Sequence, residues 1–251
     1  MSSLATDQWG SGSLIVACHG FTQTAQSWGA FGELLGTRHR VLAVDLPGHG
    51  RSASIATSLE ETAQLVLAVA DGEPFDLLGY SLGGRVALTL ALTEPTALQR
   101  LILIGATPGI ADPAARGARK EADDALAAQI EAEDDLEAFL ERWLRQPMFA
   151  TLARANGALA SRRTNTVGGL AASLRTLGVG NQEPSWDQLG TLLTPTLALV
   201  GIGDTRFTAT NLAMVDALGD ATLSLIPGAR HACHLEQPSL SAHLVLDWLD
   251  R

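Results

Sequence analysis

The stretch Leu77–Ala87, LLGYSLGGRVA, sets one serine, Ser81, among three glycines where an apolar run turns into a helical pattern. A serine hydroxyl is a weak base or nucleophile until a histidine takes its proton, and the histidine must itself be oriented by an acid. The pattern G-x-S-x-G meets the first requirement, because it fits a nucleophile elbow, a sharp strand-to-helix turn with the serine at its tip. Side chains two residues either side of such a serine would collide. Gly79 and Gly83 remove those collisions, and Gly84 lets the helix pack close to the sheet. In this arrangement the acid and then the histidine follow the serine along the chain. Asp204, in LALVGIGDTRF, and His231, in SLIPGARHACHLEQP, each follow a strand-like run. Asp112 competes for the role of acid, and His234 for that of base. His231 lies nearer the strand end and has the better reach. In ACHGF the chain turns after the first apolar run, and backbone amides there can pair with the one after the serine. Phe21 and Leu82 would donate them, as an oxyanion hole. His19 and His49 sit in Gly/Pro turns, where each is expected to hold a loop.

The elements that must position these groups alternate. Strand-like runs cover Leu14–Ala17, Arg40–Leu46, Phe75–Gly79, Leu101–Ile104, Thr196–Val200 and Thr222–Ile226. They are continuously apolar, as strands covered on both faces are. Helical patterns lie at Ser58–Ala70, Leu82–Leu92, Thr208–Leu218 and Pro238–Leu249. This predicts an α/β fold with a mostly parallel central sheet, right-handed crossovers and helices on both faces. Ligands then bind at the carboxyl ends of the strands, where Ser81 would stand. Between Ile104 and Thr196, roughly ninety residues carry no convincing strand. Ala114–Leu144 reads as strongly helical and Gly157–Leu177 more weakly. The expected organisation is a core over 1–110, a helical cap over 111–185 and the rest of the core over 186–251. Fewer than eight strands are expected, or eight with a very short first hairpin.

Composition narrows the function. The 251 residues are 46% apolar with a net charge of −10, which argues against nucleic acid and anionic membrane surfaces as partners. No apolar run approaches the ~18 residues that span a bilayer, and the first ten residues lack the basic and apolar regions of a secretory signal. Cys18 and Cys233 make no disulfide framework. A cytoplasmic monomer or weak homo-oligomer is the expectation. No metal-ligand spacing and no phosphate-binding glycine loop in context is visible, so no metal and no cofactor are expected.

Taken together these motifs resemble the α/β-hydrolase superfamily over the whole chain. HGF, DLPGHGRS, GYSLGGRVAL, WLRQPMFATL, GIGDTRF and IPGARHACHLEQP are jointly similar to the 2-succinyl-6-hydroxy-2,4-cyclohexadiene-1-carboxylate synthases. RRTNTVGGLAASLRTLGVGNQEPSW also looks like that family's cap. The resemblance implies a cofactor-free lyase of menaquinone biosynthesis. Such an enzyme eliminates pyruvate from 2-succinyl-5-enolpyruvyl-6-hydroxy-3-cyclohexene-1-carboxylate, with a Ser–His–Asp triad as base. It also implies Arg119 and Arg162 as substrate-binding residues, with Arg85 a third candidate one helical turn after Ser81. Trp143 would pack either on the substrate ring or within the core, and Tyr80 would shape the pocket. Two positions depart from the family: Arg230 stands where glycine often precedes the histidine, and Arg206 where lysine is common.

One compositional feature bears on the substrate independently. Arg142 to Gln182 holds six arginines (Arg142, Arg145, Arg154, Arg162, Arg163, Arg175) and no Asp or Glu. Any one of them alone reads better as part of a solvated helical face; as a group they could make the cap's underside a receptor for a small anionic substrate, through bidentate hydrogen bonds to carboxylates. The alternative reading of the whole is a serine esterase or carbon–carbon bond hydrolase acting on a small carboxylated substrate, because the triad alone does not separate these chemistries. A non-catalytic ligand receptor on the same fold is a third.

Overall fold

The structure, a computed structural model, describes residues 3–152 and 159–251. Seven strands form one sheet in the order β1-β3-β2-β4-β5-β6-β7, with β1 Thr6–Gly10, β2 Leu14–Cys18, β3 Arg40–Val44, β4 Phe75–Tyr80, β5 Leu98–Ile104, β6 Thr196–Gly201 and β7 Ala221–Ile226. All pairings are parallel except that of β1 with β3. Every residue of β2, β4 and β6 is buried, as the unbroken apolar runs require of strands covered on both faces. Six of the seven strands fall where the sequence places them.

The exception, β1, reads TDQWG and is half exposed at the sheet edge. Its one large apolar side chain, Trp9, lies against α1, Gly29–Leu35, and its indole N–H donates to the Gly32 carbonyl at 2.8 Å. Neither β1 nor α1 has the apolar periodicity that announces an element in sequence. Helices α2, Leu59–Val69, α3, Leu82–Thr93, and α8, Pro238–Leu249, fall within a residue or two of expectation. Ser58 opens α2 with a full capping box to Glu61. Helix α7 runs Thr205–Ala217, starting earlier than the pattern suggests because Asp204 caps it.

Between β5 and β6 the chain forms α4, Pro113–Glu133, α5, Leu136–Leu144, and α6, Val167–Leu177. The single helix expected over Ala114–Leu144 is two, since Asp134 adopts a left-handed conformation (φ 48°) and Asp135 caps the second. The first residues of the weaker pattern, Gly157 and Ala158, lie outside the described residues, and the helix itself begins only at Val167. Two large apolar clusters cover the two faces of the sheet. A third, built from Ile130, Phe139, Leu140, Leu170 and Leu174, joins the helices of the insertion to one another. The inserted helices are thus held together by an apolar seam of their own.

Candidate active site

Ser81 stands between β4 and α3 with φ 52° and ψ −105°, a backbone state rare for a residue with a side chain. The surrounding glycines explain how it is tolerated. A Cβ on Gly79 would lie 2.3 Å from the Gly83 carbonyl oxygen, and one on Gly83 only 1.9 Å from that of Cys18. A Cβ on Gly84 would meet that of Ala106 at 2.6 Å, so this glycine sets how closely α3 lies on the sheet. The Gly83 amide donates to the His19 carbonyl at 3.0 Å, tying the elbow to the loop after β2.

Three side chains from three strand ends meet here. His231 Nε2 lies 3.0 Å from Ser81 Oγ, and His231 Nδ1 lies 2.9 Å from Asp204 Oδ2. The other Asp204 oxygen accepts the Phe207 amide at 3.3 Å, so capping α7 also fixes the carboxylate. The His231 side chain is 2% exposed. Phe207 packs on its ring, centroids 4.4 Å apart, and Tyr80 at 5.4 Å. A buried imidazole joined to a carboxylate on one side and a hydroxyl on the other can take the hydroxyl proton and share the resulting charge.

The rival residues have other work. Asp112 caps α4 through a 2.7 Å bond from the Ala115 amide. His234 is wholly buried against Trp28, Phe31 and Tyr80 and bonds to no described protein group. Burial lowers its pKa to about 3. His19 holds its loop, donating from Nδ1 to the Gly20 carbonyl and accepting the Leu46 amide on Nε2. His49 does the same between the Pro47 carbonyl and the Thr22 amide. Burial lowers these two to about 4 and about 3, so both rings are neutral spacers.

Ser81, His231, Phe21 and Leu82 line one cavity of about 400 Å³ between the sheet and the cap. Leu82 is the first residue of α3, so its amide has no acceptor within the helix. The amides either side of Phe21 are engaged, Gly20 with Gln23 Oε1 and Thr22 with His49 Nε2. The loop carrying Phe21 is thereby fixed. Trp143 and Tyr80 also line the cavity, and Trp143 packs edge-on against Phe21 at 5.1 Å.

The arginines divide in a way that composition does not show. Arg142 pairs with Glu133, Arg145 with Glu141, Arg163 with Glu137 and Arg175 with Glu131, all four on exposed surface. The reading of the group as a carboxylate receptor is corrected for these four: the acids that neutralise them come largely from α4 and α5, N-terminal to the stretch free of acids. Arg154 lies outside the described residues. Arg162 is 1% exposed, donates from Nε to Thr22 Oγ1 at 3.0 Å, and is absent from the cavity lining. Burial lowers its pKa to about 10. Arg85 and Arg119 do line the cavity. The guanidinium of Arg85 is spanned between the Leu177 carbonyl and Gln182 Oε1, and that of Arg119 is paired with Asp123 at 2.9 Å.

Sequence reasoning passed over four contributors. Gln182 orients Arg85, Phe207 packs on the histidine, Arg206 lines the cavity and Ser173 does so from α6. Only Arg206 left a trace, as a departure from the family pattern. A fifth, Glu236, accepts the Arg230 amide at 2.9 Å and the Ala232 amide at 3.1 Å, one either side of His231. Among the described residues no cluster of His, Cys, Asp and Glu could hold a metal ion, and no helix is long and apolar enough to cross a membrane.

An elbow serine, a histidine after the last strand and an acid after the preceding one, set on a mostly parallel sheet under a helical cap, define a class, and residues 15–243 match it: this is an enzyme of the alpha/beta hydrolase family. Within that family the chain is 33% identical to the putative 2-succinyl-6-hydroxy-2,4-cyclohexadiene-1-carboxylate synthase of Bacillus subtilis (strain 168), over 94% of this chain and 89% of the relative. It is 36% identical to the synthase of that name from Serratia proteamaculans (strain 568), over 80% and 79% of the two chains. Among solved structures it superposes on MenH from S. aureus with a TM-score of 0.91 at 25% identity, covering 98% and 97%. It superposes on a thermophilic esterase from Thermogutta terrifontis, solved with malate bound, with a TM-score of 0.81 at 25% identity, covering 98% and 93%.

Proposed function

We propose that this enzyme is a cofactor-free carbon–oxygen lyase that eliminates pyruvate from 2-succinyl-5-enolpyruvyl-6-hydroxy-3-cyclohexene-1-carboxylate in menaquinone biosynthesis. Asp204 holds His231 with Nδ1–H donating and Nε2 facing the serine hydroxyl. His231 takes the Ser81 proton as Ser81 Oγ removes a proton from a ring carbon of the substrate. The electron pair of that C–H bond passes through an enolate of the neighbouring succinyl carbonyl and forms the new ring double bond. The ring C–O bond breaks and the enolpyruvyl group leaves, to be protonated to pyruvate. The amides of Phe21 and Leu82 hold the enolate oxygen. One such donor is worth roughly 3–4 kcal/mol at the transition state, and the positioned base about 10²–10⁴-fold in rate.

The observation that carries this reading is the relay from Asp204 through His231 to Ser81, opening into a cavity with cationic walls. The relatives support the choice of reaction, since similarity to the named synthases runs through the cap as well as the core. The likeness to an esterase favours the second reading, an ester hydrolase acting through a covalent Ser81 intermediate. Two assays on the wild-type protein separate them. The lyase releases one pyruvate per ring diene formed from the enolpyruvyl substrate and turns over p-nitrophenyl acetate feebly. Rapid ester turnover with no pyruvate would establish the hydrolase.

A further inference from the structure

Three guanidinium groups line the cavity, and two of them are already engaged. Arg85 is spanned between the Leu177 carbonyl and Gln182, and Arg119 is paired with Asp123. Arg206 makes no ion pair among the described residues and is exposed at the cavity wall. It is the second residue of α7, and the carboxylate that caps this helix, Asp204, is committed to the Phe207 amide and to His231, so the Arg206 guanidinium is left with no acid of the described residues.

A second observation indicates a polar ligand in the same cavity. The Ser173 hydroxyl is 2% exposed, lines the wall and bonds to no described protein group. The indole N–H of Trp143, a half-buried residue that also lines the cavity, likewise bonds to no described protein group. On the cap side, Asp123 Oδ2 is also without a described protein partner, and its charge disfavours a carboxylate there except one that Arg119 screens. The core-side wall, with Arg206 two residues from Asp204, has no such acid in the lining.

We propose that Arg206 is a specificity-determining residue that receives a carboxylate of the substrate at the cavity wall formed by the start of α7. This deepens the lyase reading and rests on its claim that the substrate is anionic. An uncommitted guanidinium binds a carboxylate bidentately without first breaking an internal bond. In a chain of net charge −10 it also supplies local attraction that the rest of the molecule opposes.

The test uses R206Q and R206K with two readouts. The first is pyruvate release from the enolpyruvyl substrate. R206Q raises KM about tenfold or more, lowers kcat much less, and flattens the salt dependence of kcat/KM, while R206K keeps most of the affinity. The second is calorimetric binding of propane-1,2,3-tricarboxylate, which needs no turnover: it binds the wild type and R206K and binds R206Q at least tenfold more weakly. If the tricarboxylate discriminates the variants but no pyruvate forms, the reaction is wrong and the anion site stands. Equal binding to wild type and R206Q, or no binding to the wild type, overturns the assignment.

Discussion

The carboxylate of Glu236 brackets His231: one oxygen accepts the amide of the residue before it and the other the amide of the residue after it. The imidazole is therefore aimed from behind by its own backbone as well as from the side by Asp204. Arg230, which stands where the family often has glycine, fits because its amide is bound and its guanidinium reaches out to the Gly203 carbonyl.

Glu236→Ala should lower kcat at least tenfold and cost about 1–3 kcal/mol of stability, since two amides lose a charged acceptor. Glu236→Gln keeps a single acceptor oxygen and should fall between alanine and wild type. Steady-state kinetics and urea unfolding of the three proteins check the ranking. Equal kcat in all three would mean that the loop is held by other contacts.

Gly83→Ala should disable the elbow. The added Cβ would lie within 2 Å of backbone that cannot give way, the Cys18 carbonyl, so α3 or β2 must move, at a cost of several kcal/mol. The expected result is a large fall in the melting temperature with loss of activity in whatever folds. A variant as stable and active as wild type would contradict the packing of the elbow.

His19, His49 and His234 set an acid limit on stability. Burial holds their folded pKa values at about 4, about 3 and about 3, below an unfolded value near 6.5. Between those values the unfolded chain binds more protons than the native one, so stability rises with pH. The contribution is complete above about pH 6.5 and is lost as pH falls toward the folded values, up to about 2 kcal/mol for each ring by pH 5. His234→Phe replaces a ring whose nitrogens bond to no described protein group and sits among aromatic side chains. It should flatten the pH dependence of urea unfolding by close to one proton. An unchanged slope would mean that His234 is not titrating as its burial requires.

Arg119 and Asp123 should separate binding from folding. Arg119→Ala removes a cation from the cavity wall and strands a buried carboxylate, so affinity and stability fall together, the latter by about 1–2 kcal/mol. Adding Asp123→Asn should restore stability and leave KM raised. Recovery of both would reduce Arg119 to a partner of Asp123.

Much of this was legible because the chemistry imposes local rules. A serine at φ 52° needs small neighbours, so the elbow is written in adjacent residues, and the acid and histidine are confined to the ends of two strands. The buried strands show as unbroken apolar runs. The edge strand β1 does not, because half of it faces solvent and its one anchor, Trp9, finds its partner 23 residues away. The cap arginines were hidden for a related reason. Glu131, Glu133 and Glu137 neutralise three of them, from helix faces that a count along the chain cannot relate to theirs. Glu236 and Gln182 carry no mark of their own, since the contacts through which each acts are made only in the folded chain.

The relay itself is tested most directly by pyruvate release from the enolpyruvyl substrate by wild type and Ser81→Ala, with folding of both verified by circular dichroism. The wild type should release pyruvate stoichiometrically with the diene, and Ser81→Ala should be slower by at least about a thousandfold, because the group that removes the ring proton is gone. Pyruvate release by a folded Ser81→Ala at close to the wild-type rate would contradict the account.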